Sequence, residues 1–586
     1  MGSFPVYPAY FVLLGLIVYL IAYFGYAKRY DRNIWKPDPK ATTPAHMYMD
    51  GVEFFPSSKY VLYGFQFKGI AGAAPIVGPW VALNFGWLPA LLWILFGNFF
   101  IGWIHDYGSL FTSVRNEGKT LGPLTYELIG PRARTCLMGF LLFYLITIVS
   151  AFDYVIGMHF NVHMGSLLFT VFVFIAGVIS GLLLYKLKVH IIASTIIGII
   201  VMIIGLYISA YVWRFTVGFE LGMFIASVIC FISAILPLIW FAQPTNYMAF
   251  YPCFMGIVFL LIGELASPIT GVTVAPQPLP ESWYYPALST DPFKIGPIWP
   301  ILFVSIACGA ISGWHSLVST SGSARQLDVE TDALPIGAGA MLTEGVLALT
   351  ALGAYMSITK TEVEAALGAG KWGAHTALAY GASKLVAPLF MTTWDNPMLL
   401  TFYGSFIVLY AITINQLAIR FFRMALTEVT APSPSLRLII GNKYVASIIG
   451  LAIGFGLAWS GAWANLWTIF GGANQLMAGL ALLLVSVYLA NIKKPAKYTL
   501  GPAIFMTITC LTALIFEAVV FFNAISTGNY IWTVYKGITP PPTEVKFAFN
   551  LAFGVISAIL FILGIIVAYD SIKALSRAWK ARKESQ

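Results

Sequence analysis

Of 586 residues, 59% are hydrophobic and only 10% charged, and the mean hydropathy is +0.82. That little charge cannot cover the surface of soluble domains, so most of this chain has lipid as its solvent. The formal net charge of +9 does not point to a nucleic-acid partner. The basic residues sit in short segments beside apolar runs, where the positive-inside bias of membrane proteins puts them.

Backbone groups in lipid must be satisfied internally, which leaves helices or closed barrels. Unbroken runs such as Ile191–Ala210 do not alternate as barrel strands would. The fold class is therefore an all-α polytopic membrane protein. In chain order, apolar stretches long enough to cross occupy 6–27, 60–84, 88–114, 135–158, 164–185, 189–211, 219–241 and 247–266. They continue at 298–322, 336–358, 398–424, 443–461, 464–489, 498–521 and 547–570, about fifteen helices in all. The first is not a cleaved signal, because no basic segment precedes it and Lys28, Arg29 and Arg32 follow it.

Loop charges test this count. Basic clusters recur at Arg115/Lys119/Arg132/Arg134, Lys186/Lys188, Arg325, Arg420/Arg423/Arg437, Lys493/Lys494/Lys497 and the tail Arg577/Lys580/Arg582/Lys583. All fall on the side predicted to be cytoplasmic if the N-terminus is outside. The C-terminus is then cytoplasmic and the location is the plasma membrane. The long segments 267–297, 359–397 and 522–546 are predicted outside.

Two spans are unlike the others. Residues 70–79 read IAGAAPIVGP and residues 306–315 read IACGAISGWH, both with small residues at mid-depth. Pro75 and Pro79 also remove backbone donors. The plain reading is close helix packing through small residues. The sharper one is a pair of interrupted helices whose freed carbonyls and helix ends hold a solute or ion. The two spans run in opposite directions, as an inverted repeat requires. Spans 2–6 and 9–13 then form two five-helix halves. The chain divides as 1–59 (first helix and cytoplasmic loop), 60–211 (first repeat), 212–297 (peripheral helices), 298–489 (second repeat) and 490–586 (two last helices and basic tail).

Ionisable groups inside spans are costly and mark candidate function. Lys68 lies about 12 Å into its span, directly before the first small-residue stretch. It either snorkels to the edge, joins a structural ion pair, or exchanges a proton beside a solute cavity. Asp106 either pairs with a basic neighbour or belongs to a coupling-ion path, and His105 reads as a satisfied interfacial histidine. His315 follows the second stretch among Ser312, Ser316, Ser319, Thr320 and Ser321, a plausible polar lining. Glu344 is a partner for Lys68 or His315. Asp153, Glu264 and Glu517 read as interfacial, and Arg420 and Arg423 as headgroup anchors. Asn415, Gln416, Asn474 and Gln475 are amides at depth, interhelical glue by default. The five cysteines, Cys136, Cys230, Cys253, Cys308 and Cys510, form no CxxC pair and read as small buried hydrophobes. No Walker A motif, Rossmann glycine run or CxxC metal pair occurs, and no nucleophile–base constellation points to an enzyme. No cofactor is expected beyond a coupling proton or sodium ion.

Five blocks in consistent order resemble the carbon-starvation protein A (CstA) family of membrane transporters. They are 49–51 (MDG), 69–79 (GIAGAAPIVGP), 306–315, 330–344 (ETDALPIGAGAMLTE) and 466–475 (LWTIFGGANQ). The resemblance implies import of peptides or pyruvate driven by protons, and a LeuT-like core of two inverted five-helix repeats. Family members often carry histidines where this chain has Gln66 and Lys68, and many carry an aspartate in the block resembling 411–416, where Gln416 stands. On this reading a carboxylate-bearing solute binds at Gly72, Ala73, Pro75, Gly309, Ser312, His315, Gln416 and Asn474. Ion coupling falls to Lys68, Asp106 and Glu344. A nutrient sensor that binds the solute and signals to a partner through its cytoplasmic loops, or a homo-oligomer, is the other class this sequence admits.

Overall fold

The computed structural model describes residues 5–51, 53–237, 240–274, 296–368, 370–460, 463–531 and 542–584. Much of the long segment expected outside at 267–297, part of 522–546 and the end of span 443–461 lie outside the described residues, as do the side chains of Arg582 and Lys583.

Among the described residues the chain is helical, with no strand beyond an isolated bridge between Ser57 and Leu327. The main helices are α1 Pro8–Trp35, α2 Lys59–Ile70, α3 Ala74–Ala82, α4 Trp87–Val114, α5 Pro131–Val162, α6 Ser166–Lys186, α7 Ile191–Val212, α8 Phe219–Ile235 and α9 Ala242–Leu265. After these come the short stretch 298–305 (α10), α11 Trp314–Ser321, α12 Glu330–Met356, α13 Lys360–Leu367, α14 Ala374–Val386, α15 Pro397–Thr430, α16 Lys443–Trp459, α17 Trp463–Asn491, α18 Lys497–Thr527 and α19 Thr543–Glu584. Among the described residues eleven helices are long and apolar enough to cross a membrane, and Ala74–Phe85, α8 and α16 are shorter apolar ones.

Helices outrun the apolar runs at their polar ends. The first continues to Trp35, so Lys28, Arg29 and Arg32 ride on its last turns rather than in a loop. The basic tail is likewise helical as far as Glu584. Intrahelical hydrogen bonding does not stop where hydrophobicity does; it stops where φ/ψ changes, as at Lys36 (φ 51°). The segment 359–397 holds α13 and α14 rather than open loop. A capping box starts α13, with Thr359 and Glu362 satisfying each other's backbone.

The chain forms two compact units. One comprises Met1–Leu14, Leu145–Tyr285 and Leu349–Trp459. Here α15 packs on α8, α14 and α16, and α6 on α7 and α9. Asp153 and Glu264, expected at the interface, are fully buried. Asp153 accepts from Asn415 Nδ2 at 2.9 Å, which ties α5 to α15. Glu264 receives no hydrogen bond among the described residues. Arg420 is no headgroup anchor either. Its guanidinium donates to the carbonyls of Ser233 (2.6 Å) and Leu236 (2.7 Å), closing the C-terminal end of α8.

The other unit comprises Gly15–Tyr144, Pro286–Ala348 and Ser460–Gln586. Its helices α17, α18 and α19 pack mutually, and α4 packs on α11 and α17. Glu517, also expected at the interface, is buried and accepts from Thr468 (2.5 Å) and Asn465 (3.1 Å), pinning α18 to α17. At a polar edge Arg115 grips Glu330 through Nε (2.5 Å) and Nη2 (2.7 Å). The same carboxylate accepts the Asp38 N–H at 2.9 Å, so the segment after α1 is fastened to the start of α12.

Candidate functional site

The unit that holds residues 60–114 and 298–348 contains both small-residue stretches, and both interrupt a helix. Between α2 and α3 the backbone leaves helical form at Ala71 (ψ 106°) and resumes at Ala74. Gly72, Ala73 and Pro75 lie in or just beyond this break and are buried. Between α10 and α11 the break is longer, residues 306–313, and Gly309 turns the chain with φ +81°. A side chain there would strain the backbone and meet the Ala348 methyl at 2.6 Å, so glycine is required.

The long break frees carbonyls that lipid cannot satisfy, and the neighbouring helices answer four of those at and beside it with an N–H. Trp467 Nε1 donates to Ser305 O (2.9 Å), Gln475 Nε2 to Ile306 O (2.6 Å), Asn474 Nδ2 to Ala307 O, and Asn98 Nδ2 to Gly309 O (3.1 Å). Asn474 Oδ1 in turn accepts from the Trp314 N–H (3.0 Å), Ser312 (3.2 Å) and Tyr144 (2.6 Å). Ser312 and Asn474, two of the solute-binding candidates, hydrogen-bond each other and the backbone of the break. The short break is tied to the long one: Trp314 Nε1 donates to Gly69 O at 2.7 Å.

Beside the long break lies a fully buried acid–histidine cluster. His315, on the first turn of α11, faces Asp106 of α4 through Nδ1 (2.8 Å). Asp106 also holds His105 Nδ1 at 2.8 Å. On its other side His315 Nε2 stands 3.2 Å from Glu344 Oε2 and 3.2 Å from Cys308 Sγ. Thus Asp106, His315 and Glu344, three separate candidates in the sequence, come together. His105 and Cys308 join them, neither interfacial nor a mere hydrophobe. Neither Glu344 oxygen receives a well-aligned hydrogen bond among the described residues. Lys68 is buried near the end of α2, three residues before the first break. Neighbouring Gln66 bonds Ser319 (2.9 Å) and Ser323 (2.6 Å) across to α11 and the turn after it.

Gln416 is not gathered at the breaks. It belongs to the other unit, where Asn246 donates weakly to its Oε1 at 3.5 Å and its Nε2 is buried without a partner among the described residues. That unit has its own histidine cluster, unforeseen from sequence. The His159 ring lies 5.5 Å from that of His163 and 5.9 Å from that of His375. His163 and His375, outside the apolar helices, are held neutral by burial, at about 4 and about 3.

Sequence reasoning also missed Asn98 and Cys308. Asn98 was visible as the one amide in the apolar run 87–102. Cys308 was not, because residues 306–313 are not helical, so its i, i+7 spacing to His315 says nothing about their contact.

Known proteins place this geometry. The family described as carbon starvation protein CstA matches residues 7–366 and 355–513. The chain belongs to the CstA family. It is 28% identical to the peptide transporter CstA of Bacillus subtilis, over 97% of each chain. It is 28% identical to the peptide transporter CstA of Escherichia coli, over 86% of this chain and 80% of that one. It is also 32% identical to the pyruvate/proton symporter BtsT of Escherichia coli, over 58% of this chain and 48% of that one. CstA relatives are named as transporters and not as enzymes. The family and the apolar helices together make this a multi-pass membrane protein.

Proposed function

We propose that this CstA-family chain is a secondary active transporter that imports a small carboxylate-bearing solute, a peptide or pyruvate, together with protons. One observation carries the reading: a wholly buried chain of acid, imidazole and acid, Asp106–His315–Glu344, set against a helix break. Intramembrane carboxylates and histidines linked by hydrogen bonds are the usual material of proton relays. His315 passes a proton between the two carboxylates as one or the other is exposed. The N-termini of α3 and α11, with Lys68, supply the partial and full positive charge that attracts a carboxylate. All five members of the cluster are closed to solvent, so solute and ion enter only when the helices move, which is alternating access.

The architecture we assign is fifteen crossings around a LeuT-like core of two inverted repeats, 60–211 and 298–489. In support, residues 60–114 and 298–348, which contain the two broken helices and the ones following them, fall in one compact unit. Most of their counterparts, 145–212 and 397–459, fall in the other. An outside N-terminus and a cytoplasmic C-terminus follow from the loop charges. The names of the relatives supply the solute classes and the proton.

The test is uptake of radiolabelled pyruvate and of a dipeptide by proteoliposomes holding the purified chain, with proton and sodium gradients imposed separately. Accumulation above the external concentration under an inward proton gradient is expected. Binding of either solute without accumulation under any gradient points to the sensor reading and removes this one.

A further inference from the structure

We infer that Cys308, His315 and Glu344 form a binding site for a zinc-class divalent metal ion, with Asp106 as the group that orients the imidazole. The argument starts from His315. Its Nδ1 is 2.8 Å from an Asp106 oxygen, and a carboxylate only accepts, so Nδ1 carries a hydrogen. In the neutral ring the Nε2 lone pair is then bare, with a thiol sulfur and a carboxylate oxygen each 3.2 Å away.

Three electron-rich atoms thus converge within 4.8 Å of one another, all buried. A single proton on Nε2 serves one neighbour and leaves the other unsatisfied. Glu344 sharpens the difficulty, since both its oxygens are buried without a hydrogen bond among the described residues. Such a group is costly to bury unless a cation meets it. A tetrahedral zinc with bonds of about 2.0–2.3 Å sets nitrogen, oxygen and sulfur ligands about 3.3–3.6 Å apart. The two spacings from Nε2 need only a few tenths of an ångström of adjustment, and the sulfur and the carboxylate oxygen already lie within 4.8 Å of each other.

The surroundings fit as well. A histidine ligand ordinarily donates its second N–H to a carboxylate, and Asp106 does that here. One thiolate, one imidazole and one carboxylate leave the fourth tetrahedral position open. Binding the ion displaces the Cys308 thiol proton and any proton on Nε2 or Glu344. Metal and protons therefore compete for the same atoms. A bound ion also ties the long break (Cys308), α11 (His315) and α12 (Glu344) to one point, so metal occupancy opposes the movement that transport requires. That last consequence rests on the transport reading above; the binding itself does not.

The probe is cobalt(II) added to the chelator-stripped, full-length protein in detergent, followed by absorption spectroscopy and elemental analysis. One cobalt per chain is expected, with a thiolate-to-cobalt charge-transfer band in the near ultraviolet and visible bands of tetrahedral intensity, all lost on adding equimolar zinc. Cys308→Ala removes the charge-transfer band, and Asp106→Asn weakens binding roughly 10- to 100-fold while keeping it. Absence of the band in the wild-type protein overturns the site, as does a band that survives Cys308→Ala. Because this readout needs no solute and no gradient, its failure leaves the uptake experiment to be judged separately.

Discussion

Each compact unit holds a histidine cluster, and the two differ in what faces the imidazoles. His159 and His163 face backbone, His159 Nδ1 meeting Val155 O at 2.7 Å and His163 Nε2 meeting His375 O at 3.1 Å, and the half-buried His375 ring lies 5.9 Å from that of His159. Among the described residues, no hydrogen bond joins these rings to a carboxylate. His105 and His315 instead share Asp106, and Glu344 closes the far side of His315. Carbonyl-faced imidazoles in a closed interior are settled by remaining neutral, which is a structural role. Imidazoles between carboxylates have two electrostatically acceptable states, and that is what carrying a proton or gripping a metal demands.

The largest effect that would break this contrast is on uptake. Asp106→Asn and Glu344→Gln are each expected to reduce proton-driven uptake in proteoliposomes to the level of empty liposomes, with the melting temperature little changed. His163→Gln and His375→Gln are expected to leave uptake at neutral pH intact. Equal loss from both pairs would erase the distinction between the clusters.

Next in size is the clamp that presents His315. Asn474→Ala removes its hydrogen bonds with Ala307 O, the Trp314 N–H, Ser312 and the Tyr144 hydroxyl. At about 0.5–1.5 kcal/mol for each bond lost, a loss of several kcal/mol is expected in thermal or denaturant unfolding in detergent. Asn474→Asp keeps the acceptor and loses the donor, and should fall between. A stable Asn474→Ala protein would mean the long break does not depend on side-chain clamping.

Acid should then separate the two units. Burial depresses His163 to about 4 and His375 to about 3, against about 6.5 when unfolded. Their contribution to stability is fully present above about 6.5 and is lost as pH falls toward those folded values. Between pH 7.5 and 5.5 the expected cost is about 1 kcal/mol for each histidine. Hydrogen exchange corrected for intrinsic rate should report loosening at the end of α5 and in α14. His375→Gln should halve the effect; an unchanged response would place the acid-sensitive group elsewhere.

The smallest effect concerns the tie between the breaks. Trp314→Phe removes one hydrogen bond, to Gly69 O, and should cost about 1–2 kcal/mol in the same unfolding measurement. A neutral result would show that the short break needs no such support.

Much of the architecture was legible because lipid imposes simple conditions on a sequence: length, apolarity and small residues where winding stops. The interruptions at 71–73 and 306–313 sit where the small-residue stretches placed them, and every mid-span candidate proved buried. Reading Asp153, Glu264 and Glu517 as interfacial failed for one reason. Position near the end of an apolar run says nothing about whether another helix covers that end.

Sequence alone determined that this chain is helical, embedded in lipid, and set with small residues at two mid-depth points, since those follow from local composition and backbone chemistry. Tertiary structure alone decided which polar groups meet. Asp106, Cys308, His315 and Glu344 are separated by up to 238 residues, and no local rule relates them. Asn474 and Gln475 read as interhelical glue, and Asn474 also as a solute-binding candidate; the fold named their partners, carbonyls more than 160 residues away. A buried polar atom must find a partner, but the sequence does not name it; only packing brings the two within reach.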